Sequence, residues 1–188
     1  MDSPGIVTFI FVRHTAVKVP SGTCYGHLDV PLAESFHEEA AAVRERLDGI
    51  TPTLTISSPS SRCTALAAAC GWPGCRTDPR VMERSFGTWE GLRYEEIEDP
   101  HLQEYYRDWI HTAPTGGESF ADLTARVRDF MDITKRQLTE DLSSPSPAAL
   151  IFTHGGVISS ACVITGTCTE REAWSHCPPY GGIVCLKC

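Results

Sequence analysis

The stretch Ile6-Val7-Thr8-Phe9-Ile10-Phe11-Val12 runs straight into Arg13-His14-Thr15. Such a short, nearly unbroken apolar run, rich in β-branched and aromatic side chains, reads as a strand buried on both faces. Leu54-Thr55-Ile56-Ser57 and Ala148-Ala149-Leu150-Ile151-Phe152-Thr153 read the same way, and each is followed by a helical pattern. Apolar residues at Leu32, Phe36, Ala40, Val43 and Leu47 recur every three or four positions, as on an amphipathic helix. A longer run, Phe120, Leu123, Val127, Phe130, Met131 and Leu138, does likewise, and Ser119 with Asp122 has capping-box spacing at its start. Strands alternating with helices predict an α/β fold: a three-layer αβα sandwich, its central sheet mostly parallel and helices on both faces.

Outward from these elements, 188 residues suit a single domain spanning 1–188. A chain of that size buries roughly 70% of its unfolded surface and needs no staple. Residues 79–117 are irregular, with Trp89, Tyr94, Tyr105, Tyr106 and Trp109 among charged residues, and read as a helical, lid-like insertion over the sheet. Leu142 to Pro147 reads as a surface loop. The apolar stretches fall short of the ~20 residues of a membrane helix. Met1-Asp2-Ser3-Pro4-Gly5 shows no basic segment leading into a secretory apolar core, so a cytoplasmic protein with reduced thiols is expected. Cys185 and Cys188, with His176 or Cys177, have the chemistry of zinc ligands but lack a second pair at finger spacing, so no metal is expected. No heptad or clear apolar face decides the oligomeric state, and a homodimer stays open.

The formal charge is −8. Nucleic-acid binders show the opposite balance. An anion site in an acidic body has to be assembled from a few positive groups placed locally. Open parallel sheets bind ligands outside the carboxyl ends of their strands. Here three such ends deliver Arg13-His14-Thr15, Ser58-Pro59-Ser60-Ser61-Arg62 and His154-Gly155-Gly156. With Ser58 as N-cap and Pro59 next, Arg62 falls in the first turn of its helix, where a cation opposes the macrodipole by about 0.3–1 kcal/mol. A bound phosphate reverses that sign. Gly155-Gly156 lets a backbone come close to a ligand at a helix start. The histidine pair suits phosphoryl chemistry or a metal, but an arginine repels a divalent ion by about 8 kcal/mol at 4 Å and an effective dielectric of 20.

Arg13-His14-Thr15 resembles the Arg-His-Gly signature of the histidine phosphatase superfamily, the phosphoglycerate mutase-like proteins. The stretch Cys24 to Leu32 is similar to the segment that follows it in α-ribazole phosphatases of cobalamin synthesis. Ser57 to Arg62, Met82 to Gly91, Gly116 to Ser119 and Thr153 to Gly156 come in the family's order. The resemblance implies a phosphoglycerate mutase-like fold and a metal-independent phosphomonoesterase with no cofactor. Its substrate would be a small-molecule phosphate monoester, α-ribazole 5′-phosphate among them.

The same resemblance makes His14 the nucleophile, Glu83 the general acid, and Arg13, Arg62 and His154 the holders of the phosphoryl oxygens. Those roles suit a reaction in which positioning and positive donors do most of the work, with guanidinium forks matching phosphate. His14 must attack through an unprotonated nitrogen while the other donates to a backbone carbonyl. Glu90, Glu95 and Glu96 compete with Glu83. Thr15 stands where most members have Gly, and Pro20 or Ser21 where an Asn commonly helps bind phosphate. Thr15, Thr23 or an amide near Gly26 are the expected substitutes. Tyr25, Trp89 and Tyr94 are candidates to stack on a planar base. The alternatives are a mutase-type phosphoryl transfer and a non-catalytic phosphate-binding module.

Overall fold

The computed structural model describes residues 5–140 and 145–188, so the sequence before Gly5 and the first half of the expected loop at 142–147 lie outside the described residues. Five strands form one sheet: β1 (Thr8–Arg13), β2 (Leu54–Ser57), β3 (Arg76–Thr77), β4 (Ala148–Thr153) and β5 (Ile183–Lys187). Their order is β3-β2-β4-β1-β5. All neighbours run parallel except β5, which is antiparallel to β1. The run expected at Ile6–Val12 is displaced C-terminally and takes in Arg13, while β2 and β4 fall where their sequences place them.

Alternation along the two central strands divides the interior. Phe9 and Phe11 of β1, with Ala149 and Ile151 of β4, face α4 (Phe120–Glu140) and α5 (Gly155–Ile164). Ile10 and Val12, with Leu150 and Phe152, face α1 (Phe36–Arg46) and α2 (Ser61–Ala69). Both faces are covered, which is why β1 and β4 read as continuous apolar runs rather than alternating ones. On α4 the buried positions include Phe120, Leu123, Val127, Phe130, Met131 and Leu138, the residues of the predicted stripe. The Ser119 amide and hydroxyl both donate to Asp122, whose own amide donates back to Ser119 Oγ at 3.1 Å, closing the capping box.

Two local readings shift. Helix α2 starts at Ser61 with Ser60 as N-cap, so Ser58 and Pro59 precede it, although Arg62 stays in the first turn. The carboxylate of Asp29 accepts from the Ser61 amide and hydroxyl at 3.1 and 2.7 Å, and thereby offsets the cation at the helix start. In 79–117 the only α-helix is the short α3 (Leu102–Arg107), preceded by three single turns of 3-10 helix. Glycines in left-handed backbone at Gly87 and Gly91 break the chain there. This stretch closes a small core of its own, where Phe86, Trp89 and Ile97 pack with Cys24.

Candidate active site

The ends of β1, β2 and β4 are tied together beyond the ladders proper. The His14 amide donates to Thr153 O at 2.9 Å, and the Ser58 amide to Phe152 O at 2.8 Å. Backbone pairing therefore sets Arg13-His14, Ser58 and His154 side by side at one edge of the sheet. The His14 and His154 rings meet edge to face with centroids 5.3 Å apart.

His14 is buried, and its Nδ1 lies 2.7 Å from the carbonyl oxygen of Thr15. A carbonyl only accepts, so Nδ1 carries the proton and Nε2 keeps a free lone pair. Burial, with help from the nearby Arg62 and Arg13 guanidinium groups, pulls the His14 pKa down to about 3 against the opposing pull of the Thr15 carbonyl. The ring is thus neutral at physiological pH.

His154 lies deeper. Arg62 Nη2 sits 3.2 Å from its Nδ1, so Nδ1 accepts and Nε2 donates to Ser58 Oγ at 2.8 Å. Burial and then the Arg62 charge hold His154 well below the ordinary histidine range. Arg62 is fully buried, and it also donates to Gly26 O at 2.6 Å and Leu28 O at 3.1 Å. Gly26 therefore turns its carbonyl, not its amide, toward the cationic group. A Cβ on Gly26 would sit 1.9 Å from Arg84 O, so the turn admits no side chain.

Arg13 donates to Pro178 O at 2.6 Å. The buried Nε atoms of Arg13 and Arg62, and the Thr15 hydroxyl, have no partner in the protein. Buried donors are rarely left so. Two of the three belong to guanidinium groups whose charges reach the His14 ring, which suits the binding of an anion there.

Glu83 accepts from the Gly156 amide at 3.0 Å and from the Arg84 amide at 2.8 Å, so its carboxylate lies at the N-terminus of α5. A Cβ on Gly156 would come within 2.2 Å of Glu83 Oε1, which explains the glycine there. Arg13, His14, Thr23, Tyr25 and Glu83 line one cleft of about 150 Å³, together with Phe86, Tyr94 and Trp174. Arg62, His154 and Thr15 lie behind it, fully buried.

Glu90, read as a competitor of Glu83, accepts from the amides of His27, Leu28 and Phe86 and holds two loops together. Trp89 is buried, donates to Asp99 Oδ2 at 2.7 Å and packs on Tyr105, so it belongs to the small core and is not available to stack on a ligand. Tyr25 and Tyr94 do line the cleft.

Sequence reading missed Tyr180. Its hydroxyl is 2.8 Å from that of Tyr25, its ring lies against His14 with centroids 5.5 Å apart, and Arg13 Cζ stands 4.3 Å above it. The pair arches over the two arginines. The only signal was Pro178-Pro179-Tyr180-Gly181-Gly182, a turn before a strand that the reading did not find. Among the described residues, no three His, Cys, Asp or Glu side chains converge as metal donors, and no helix is long and apolar enough to cross a membrane.

The sequence pattern of the histidine phosphatase superfamily (branch 1) matches residues 9–188. Over 159 residues the chain is 28% identical to the glucosyl-3-phosphoglycerate phosphatase of Mycobacterium tuberculosis, covering 80% of this chain and 71% of that protein. Over 156 residues it is 25% identical to the adenosylcobalamin/α-ribazole phosphatase of Escherichia coli, covering 79% and 73%. Among solved structures, the mycobacterial glucosyl-3-phosphoglycerate phosphatase in complex with inorganic phosphate superposes with a TM-score of 0.79 at 25% identity, covering 95% of this chain and 88% of that one.

Proposed function

The chain belongs to the histidine phosphatase superfamily, and from that premise we propose that it is a phosphomonoesterase working through a phosphohistidine on His14. The observation that carries this reading is the state of His14: its tautomer is set by the Thr15 carbonyl, which leaves Nε2 free on a ring under the charges of Arg62 and Arg13.

In the proposed reaction the Tyr25–Tyr180 arch parts to admit the ester. Its phosphoryl oxygens take the free donors of Arg13, Arg62 and Thr15, with His154 holding Arg62 in place. His14 Nε2 forms a bond to phosphorus as the bond to the alcohol oxygen breaks. Glu83 gives its proton to that oxygen, and a dianion bound alongside favours the carboxyl form that can do so. The Thr15 carbonyl stabilises the positive charge that develops on the imidazole. Water then attacks phosphorus, Glu83 takes the water's proton, and His14 leaves as neutral imidazole with release of inorganic phosphate. No step calls for a metal.

The relatives act on phosphorylated small molecules of different kinds, so the substrate of this chain is sought in a panel of phosphate monoesters that includes α-ribazole 5′-phosphate, 3-phosphoglycerate and phosphoserine. The test of the reaction is labelling with a ³²P-monoester in excess chelator. Wild type is expected to carry acid-labile, alkali-stable phosphate and to release free phosphate. His14→Ala is expected to lose the label and at least about 10³-fold in turnover. Equal turnover in the two proteins would overturn the proposal. Conversion of 3-phosphoglycerate to an isomer without net release of phosphate would replace it with mutase chemistry.

A further inference from the structure

The phosphate cleft shares part of its wall with a neighbour. Phe86, Tyr94 and Trp174 line it and also line a second cleft of about 380 Å³, whose other walls are Tyr105, Tyr106, Trp109 and Arg84. We infer that this second cleft is the leaving-group subsite, and that it takes a phosphate ester whose alcohol half is a flat aromatic group ending in a hydrogen-bond acceptor, best a carboxylate. The inference rests on the phosphomonoesterase reading and adds the substrate class.

Three observations support it. The walls are almost wholly aromatic, and Tyr94, Tyr106 and Trp174 leave 45%, 58% and 42% of their surface exposed. Large rings grouped on a concave surface beside a reactive centre suit the burial of an apolar or flat ligand.

The second observation is Arg84. It is 1% exposed and has no ion-pair partner among the described residues. Its Nε is buried without a partner, and its guanidinium is packed against the Phe86, Tyr105 and Trp174 rings at 4.6, 5.4 and 5.7 Å. A buried cation without a carboxylate leaves a positive field beneath the cleft, which an anionic group on the ligand would neutralise.

The third is the direction of one hydrogen bond. Arg84 Nη2 donates to the Tyr105 hydroxyl oxygen at 2.5 Å. Arginine cannot accept, so the hydroxyl keeps its own proton to give. Burial raises the Tyr105 pKa against the pull of Arg84, so the hydroxyl remains a donor at neutral pH. The cleft thus presents aromatic walls and one polarised O–H, a pairing that selects a ring bearing an acceptor.

The experiment compares kcat/KM for propyl, benzyl and 4-carboxybenzyl phosphate, three esters of primary alcohols that make similar demands on the acid. In wild type, benzyl is expected to exceed propyl by about 3–10-fold through ring contacts. 4-Carboxybenzyl is expected to exceed benzyl by about 10-fold or more through a charged hydrogen bond. Both gains should fall mainly in KM.

Tyr106→Ala, which lines only the second cleft, should pull the benzyl-to-propyl ratio toward one. Tyr105→Phe should keep that ratio and lose the carboxylate gain. Both variants should hydrolyse propyl phosphate as wild type does, which shows that they are folded and active. Hydrolysis of all three esters with equal kcat/KM, or with ratios unchanged in both variants, would overturn the subsite. Failure of wild type to hydrolyse any ester or to label His14 would instead overturn the phosphomonoesterase reading, and the subsite would fall with it.

Discussion

The two adjoining clefts are built on different plans. The phosphate cleft takes His14, Arg62 and His154 from strand ends and a helix start, where parallel backbone pairing holds them. The aromatic cleft takes Tyr105 and Tyr106 from the short helix α3, and Tyr94, Trp109 and Trp174 from single turns and connecting segments outside the sheet. The first groups are buried and carry fixed hydrogen bonds, while Tyr94, Tyr106 and Trp174 are exposed. The difference teaches that invariant chemistry can be anchored in the sheet while selectivity is carried on segments free to vary. Substitutions in the first region should then act alike on esters whose leaving groups make the same demand on the acid. Those in the second should sort esters by their carbon skeleton.

Glu83 offers the largest test of that division, because it stands in the phosphate cleft but in the proposed reaction acts on the leaving oxygen. Glu83→Gln is expected to lower kcat/KM for propyl phosphate by about 10²–10⁴-fold, the usual worth of a positioned acid. With 4-nitrophenyl phosphate, whose leaving group departs without a proton, the loss in kcat/KM should be far smaller, and the phosphoenzyme should accumulate because the base for its hydrolysis is gone. Equal losses on the two esters would show that Glu83 positions the α5 N-terminus and is not the acid.

Arg62 comes next. Arg62→Met is expected to lower kcat/KM by about 10²–10³-fold on alkyl and aryl esters alike, as for loss of one preorganised donor to developing charge. It also strands Gly26 O, Leu28 O and His154 Nδ1, with a cost of about 1–3 kcal/mol for each buried group left unpaired. Arg62→Lys, which keeps the charge and loses the fork, should fall between wild type and Met in urea midpoint and in activity. A loss confined to one class of ester would break the comparison.

The same contrast governs what could be read from the chain. Arg13, His14 and His154 were legible because a strand end is a local feature: the apolar run stops, and the next residue is at the carboxyl edge. Glu83 was legible only through family resemblance, since its place under Gly156 depends on a contact 73 residues apart in sequence. Tyr180, Trp174 and Tyr105 were not seen as site residues because nothing local marks which loop aromatic turns toward the cleft. Trp89 shows the converse, an aromatic expected at the ligand and held instead by Asp99 in the core. Strand β5 escaped notice because an edge strand is half exposed, and its Ile183-Val184-Cys185-Leu186-Lys187 carries a weaker apolar signal than β1 or β4.

The smallest effect is on stability, and acid should reach one region before the other. The pKa of His14 falls to about 3 in the fold and that of His154 falls well below its ordinary 6.5. Below pH 6.5 the unfolded chain therefore binds protons at both positions that the native protein refuses, so stability declines as pH falls. The carboxylates with lowered values, Asp78, Asp99, Asp108, Glu118, Asp122 and Glu172, have ordinary values of 3.8 to 4.5 and contribute mainly from there downward. The window from pH 6.5 down to about 4.5 thus belongs to the two buried histidines, at up to about 1.4 kcal/mol per pH unit for each.

Urea unfolding between pH 7 and 4.5 should show this slope in wild type and about half of it in His14→Gln. Tyr105→Phe, in the aromatic cleft, should leave the acid slope as it is, because burial raises that tyrosine and moves its titration further into alkali. An acid slope unchanged in His14→Gln would mean that the ring takes up its proton within the fold near its ordinary 6.5, and the proposed nucleophile would then be neutral only above that pH.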